Sequence, residues 1–202
     1  MLRFSFLEQN INLGFFSYPF TILCIILFVS AFNKFDGINL QCGLYSLVIL
    51  IALKLYYEFS LIFDLMIIFL LFFLYLNFKN KCFLGNSGSH LLAFIFSYFF
   101  IKGYNSGIEL KADNIFIIMM IPGFELLRLA IFRLLDKKHP FEADKNHLHH
   151  FLILKFNFFQ TTIIQQMLII FPILLSFNKL NNIFVIILSI LVYLFLIFKF
   201  RN

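Results

Sequence analysis

"LIFDLMIIFLLFFLYLN", residues 61–77, carries one charge, Asp64, in seventeen positions. A helix of that length rises about 25 Å, and a hydrocarbon core roughly 30 Å thick accepts spans as short as ~17 residues. Such a stretch is a membrane-spanning helix. Six more follow the same pattern, at approximately 16–32, 43–59, 90–102, 114–132, 162–177 and 183–198. The composition agrees: 62% of the 202 residues are hydrophobic and 20% aromatic, with a mean hydropathy of +0.95. Too little polar surface remains to solvate a globular domain of this size. The expected fold is all-α, a polytopic membrane protein of about seven transmembrane helices forming a single membrane domain over 1–202.

The cations set an orientation. When seven spans alternate, one side holds 11 of the 16 Lys and Arg, among them Lys34, Lys79, Lys81, Arg133, Lys145 and Lys155. The other side holds four, and Lys54 lies within a span. The richer side is expected to be cytoplasmic by the positive-inside bias, so the net charge of +6 needs no nucleic acid to explain it. Val29-Ser30-Ala31 resembles a signal cleavage site, but the leader before it sets only Arg3 against Glu8, and no cleavage is expected. Cys24, Cys42 and Cys82 lack paired spacing and read as packing residues.

Three polar segments fall on the cation-rich side, near 32–43, 78–90 and 133–156, and are expected to form one composite site at the membrane surface. In "AFNKFDGIN", Asn33, Asp36 and Asn39 recur every third residue around Gly37. They present two amides and a carboxylate from a helix end, or Asp36-Gly37 is simply a turn. "LGNSGS" places Gly85, Ser87 and Gly88 before an apolar helix, where outward backbone N–H groups suit a phosphate, unless this too is only a turn. "HPFEADKNHLHHF", residues 139–151, gathers four histidines. His147, His149 and His150 with Lys145 can donate hydrogen bonds to phosphate oxygens, and Asp144 can orient a ring. A zinc site is the competing reading, against which stands the lack of a second Cys or His cluster; a solvated basic loop is the third.

Four motifs, in this order, resemble those of the polyprenyl-phosphate N-acetylhexosamine-1-phosphate transferases (glycosyltransferase family 4). "AFNKFDGINLQCGL" resembles the family's NxxNxxDGxDGLxxG segment, and "CFLGNSGSHLLAF" its FMGDxGSxxLGF segment. "IPGFELLRLAIFRLL" is similar to its PxxDxxRxxxRR helix, and "KKHPFEADKNHLHHFLI" to its SPFxADRxHxHHxL signature. The resemblance implies a magnesium-dependent membrane enzyme that moves a sugar-1-phosphate from a UDP-sugar to undecaprenyl phosphate, initiating a lipid-linked cell-surface glycan. It implies residence in the bacterial inner membrane with the motif loops cytoplasmic. His147, His149 and His150 would contact the donor's diphosphate, with Arg133 and Lys145 assisting electrostatically. Asn33 and Asp36 would line the same cavity, and Gly85, Ser87, Gly88 and Asp144 would contact substrate.

The chain departs from the family pattern at named positions. Asn86 stands at the family's metal-ligand acid, Asn39 at the second acid of DGxDG, and Leu40 at its glycine; Glu125 keeps the charge of the arginine helix. An amide in place of a carboxylate weakens a magnesium site, which prefers charged oxygen ligands. The family's Asp-Asp pair is absent from the sequence. These departures suggest the C-terminal portion of a longer architecture, partnered by a missing N-terminal half. Two alternatives are a non-catalytic member that binds polyprenyl phosphate or nucleotide-sugar, and an unrelated transporter or scaffold with Lys54 or Asp64 as its intramembrane charge.

Overall fold

The computed structural model describes residues 1–57, 61–137, 139 and 146–201. After a short turn at Gly14–Phe16 the chain forms α1 (Ser17–Phe35), α2 (Gln41–Tyr57), α3 (Leu61–Phe78), α4 (Gly85–Ser106) and α5 (Ala112–Leu135). A six-residue helix α6 (Leu148–Ile153) precedes α7 (Phe158–Phe177) and α8 (Asn182–Phe200). Among the described residues the only β pairing is an isolated antiparallel bridge between Leu2 and Ile11. Among the described residues seven long helices thus coincide with the seven expected spans, and the chain is an all-α polytopic membrane protein. Five of the helices are by themselves long and apolar enough to cross a bilayer, while α2, at 17 residues, is shorter.

The fourth span is longer than expected. The hydropathy pattern marks its apolar core at 90–102, yet α4 runs from Gly85 to Ser106. Polar residues are well tolerated in a first turn, whose N–H groups lack intrahelical partners, so Asn86, Ser87 and Gly88 lie inside the helix rather than in a turn before it. Similarly, Arg133 belongs to the last turn of α5, not to the loop that follows.

Helix α1 packs on α4 and α5, α2 on α3, α4 and α7, and α5 on α7 and α8. Aromatic rings fill the centre: Phe32, fully buried, lies 5.3 Å from Tyr45 and 5.9 Å from Phe96 between ring centroids. Pro122 interrupts α5. A proline lacks the N–H that would bond the carbonyl four residues earlier, here that of Ile118. In a bilayer an orphaned carbonyl needs another donor, and the buried Tyr45 hydroxyl supplies it at 2.9 Å.

Hydrogen bonds show which helix ends lie together. At one end of the bundle Arg3 bonds Tyr104, Asn114 bonds Ser176 at 3.1 Å, and buried Asp113 accepts from the Ser5 N–H at 2.9 Å and from Asn182. At the other end the 32–43 segment meets both the 78–90 segment and α6. Lys54 and Asp64 form an ion pair with each other across α2 and α3, side chains partly exposed. They neutralise each other on the helix surface.

Candidate functional site

The loop leaving α1 is held from two directions. Asn33, in the last turn of α1, accepts a hydrogen bond from the Ser89 hydroxyl at 2.6 Å, tying the start of α4 to the end of α1. Asn77, buried near the end of α3, accepts from the Leu40 N–H at 2.7 Å and donates to the Cys82 carbonyl at 2.8 Å. One side-chain amide therefore clamps both polar loops. Asn39 donates to Asn80 rather than joining Asn33 and Asp36, because α1 ends at Phe35 and the three-residue spacing is no longer helical beyond it. The expected convergence of Asn33, Asp36 and Asn39 is corrected accordingly. Leu40, at the position where the resembled motif has glycine, adopts φ +68°, a left-handed conformation that costs a non-glycine residue roughly 1–2 kcal/mol.

Asp36 follows α1 and is partly buried; burial raises its carboxyl above the ordinary 3.8. Next to it, the Cα of Gly37 faces the His149 ring so closely that a Cβ there would overlap the imidazole. This contact joins the α1–α2 loop to the histidine segment.

The histidine helix is anchored by α5 and α8. Glu125 accepts from the Leu148 N–H at 2.8 Å and from the Arg128 guanidinium at 2.9 Å. Its second oxygen accepts from the Tyr193 hydroxyl. Arg128 in turn donates to the Asn146 carbonyl at 2.6 Å and to the Tyr193 oxygen at 2.9 Å. A carboxylate at the first free N–H groups of a helix is favourable, so Glu125 fixes where α6 begins. The His147 Nδ1 stands 3.5 Å from the same carboxylate.

The three rings cluster, with His149 and His150 centroids 4.2 Å apart and His147 and His149 stacked at 5.2 Å. His149 is 4% exposed. Burial, then the neighbouring His150 and His147, push its pKa from 6.5 down to about 3, against the opposing pull of Glu125. At neutral pH it is therefore an uncharged donor and acceptor. Beneath it a small cleft of about 10 Å³, room for one water molecule, is lined by Lys34, Gln41, Glu125, His147 and Gln165 among others.

Of the residues expected at the site, Asn33, Asp36, His147, His149 and His150 are on elements the structure joins at one end of the bundle. Gly85, Asn86, Ser87 and Gly88 form the first turn of α4, and Ser89 connects that turn to Asn33. Arg133 is buried near the end of α5. Asp144 and Lys145 lie outside the described residues. Among the described residues no group of three or more Cys, His, Asp or Glu is placed to hold a metal ion. Asn86 is exposed and neutral, so the residues present do not by themselves fit magnesium.

Sequence reasoning missed Asn77 and Tyr193, and it counted Arg128 only as a cation. A Glu and an Arg three residues apart inside an apolar helix are an available signal, since charges there rarely lack partners. The tyrosine carried none.

Residues 1–104 match the family model of glycosyl transferase family 4. The chain is 33% identical over 159 residues to a probable undecaprenyl-phosphate N-acetylglucosaminyl 1-phosphate transferase of Bacillus subtilis, covering 73% of this chain and 44% of that protein. It is 32% identical over 146 residues to an undecaprenyl-phosphate alpha-N-acetylglucosaminyl 1-phosphate transferase of Thermotoga maritima, covering 72% and 46%. The chain thus spans less than half the length of these curated relatives. No solved structure matches it.

Proposed function

This chain belongs to glycosyl transferase family 4, and from that premise we propose that it forms the histidine-bearing part of a UDP-sugar:undecaprenyl-phosphate sugar-1-phosphate transferase, with its motif loops facing the cytoplasm of a bacterial cell. The observation that carries the reading is the histidine helix itself, set by Glu125, Arg128 and Tyr193 and pressed onto Gly37. Phosphoryl transfer asks a protein mainly to position anions and offset their charge. A neutral His149 can donate one ring N–H to a diphosphate oxygen, and Arg133 and Lys145 would contribute positive charge to binding the donor. The lipid phosphate would arrive from the bilayer and the nucleotide from water, meeting at these helix ends.

Magnesium, which the family resemblance implies, would supply charge neutralisation of the diphosphate when bound. Asn86 and Asn39 offer it only amides, so Asp36 would need further carboxylates from outside the described residues to hold it. The absence of an Asp-Asp pair from the sequence supports a partner N-terminal half that bears it. The same two amides favour a second reading, a member that binds nucleotide-sugar or polyprenyl phosphate without turnover.

Membranes containing the chain, with UDP-N-acetylglucosamine, undecaprenyl phosphate and magnesium, test both. UMP release by Asn86→Asp, alone or with the N-terminal half of the Bacillus subtilis relative co-expressed, supports the transferase. Silence in every combination, with UDP-sugar binding that needs His147, His149 and His150, supports the binding member. UDP-sugar and lipid-phosphate affinities that survive alanine at all three histidines would sink both.

A further inference from the structure

On the outer face of the bundle, α5 and α8 leave a groove of about 270 Å³ lined by Phe124, Leu127, Ile131, Phe132, Ile190 and Leu194, with Arg128 and Tyr193 beside them. A groove this large far exceeds the ~10–15 Å³ that one water molecule needs on the same measure, and apolar walls left uncovered forfeit dispersion contacts. From Phe124 to Phe132 it runs eight residues along α5, about 12 Å, close to the depth of one leaflet of a hydrocarbon core roughly 30 Å thick. Its shallow end carries charge: the Arg201 guanidinium lies 4.6 Å from the centre of the Phe132 ring. Arg201 is exposed, whereas the Arg128 guanidinium is neutralised by Glu125. The groove is thus apolar along its length and cationic at its mouth.

We propose that this groove holds the acyl chain of an anionic bilayer phospholipid, with its phosphate headgroup on Arg201. The site is distinct from the histidine cluster, although Tyr193 belongs to the walls of both and bonds the Glu125 carboxylate that sets α6. Occupancy of the groove therefore steadies the wall on which the histidine helix is built.

The test is native mass spectrometry of the full chain in mild detergent, delipidated and offered phosphatidylglycerol or phosphatidylcholine of identical acyl chains. The wild type is expected to retain phosphatidylglycerol preferentially. Arg201→Gln is expected to reduce that preference about fivefold, the worth of one cation near an anionic lipid surface, and Leu194→Trp, which fills the groove, to abolish retention of the bound lipid. Lys102→Gln, at the other end of the bundle, should leave the preference intact. An unchanged ratio in Arg201→Gln would mean annular lipid only and overturn the proposal. So would displacement of phosphatidylglycerol by equimolar undecaprenyl phosphate, or a dimer that forms through this face and is lost in Leu194→Trp.

Discussion

The imidazole of His149 rests directly on the Cα face of Gly37, so that the α1–α2 loop and the histidine helix are one packed unit. A methyl at position 37 would occupy the space of the ring. Gly37→Ala is expected to destabilise the chain by about 1–3 kcal/mol, the usual cost of overpacking, and to lower UDP-sugar affinity by moving the histidines. Denaturant melts in detergent and equilibrium binding check the two parts; native affinity in a stable variant would show that this packing does not position the site.

Glu125 and Arg128 are both buried, and each satisfies partners beyond the pair. Removing only one member of a buried pair typically costs 3–5 kcal/mol, about what is expected of Glu125→Ala, because Arg128 keeps an uncompensated charge. The double variant with Arg128→Met should cost clearly less than the sum of the singles. Strict additivity in a double-mutant cycle would argue that the two act independently.

Tyr45 donates to the Ile118 carbonyl that Pro122 leaves without its helical N–H. Tyr45→Phe should cost about 1–3 kcal/mol, the penalty of an unsatisfied buried acceptor. Restoring the backbone donor with Pro122→Ala should shrink that cost in the double variant. If it stays the same, the hydroxyl is important for another reason.

Acid should weaken the fold through His149. Its folded pKa, about 3, lies below the ordinary 6.5, so the unfolded chain binds the proton first as pH falls. The contribution is complete above about pH 6.5 and declines progressively toward pH 3. Asp36, whose carboxyl is raised by burial, has the opposite sign: its contribution is present in acid and lost as pH rises through its folded pKa. Comparing thermal midpoints of the wild type and His149→Gln from pH 4 to 7 isolates the histidine, and parallel curves would exclude it as the source.

Most of the bundle was legible because a bilayer imposes a length on every apolar run. Residues 61–77 and 183–198 correspond closely to α3 and α8. The fourth span extends beyond its apolar run, since hydropathy alone hides a helix whose first turn is Gly85, Asn86, Ser87 and Gly88. The histidines announced themselves as polar residues in an apolar chain, whereas Asn77 and Tyr193 did not. An asparagine at a helix end and a tyrosine in a span are ordinary until their partners are seen.

By itself the sequence determined that this chain crosses a membrane repeatedly and that three polar motifs fall between its spans, because hydrocarbon thickness and backbone hydrogen bonding restrict spanning segments to apolar helices. Only the tertiary structure decided which of those residues meet. Asn39 turned to Asn80, Asn33 to Ser89, and Glu125 became the anchor of the histidine helix rather than one more acid. Such pairings depend on where α1 stops and how α5 and α8 pack, and neighbouring helices rather than local spacing set both.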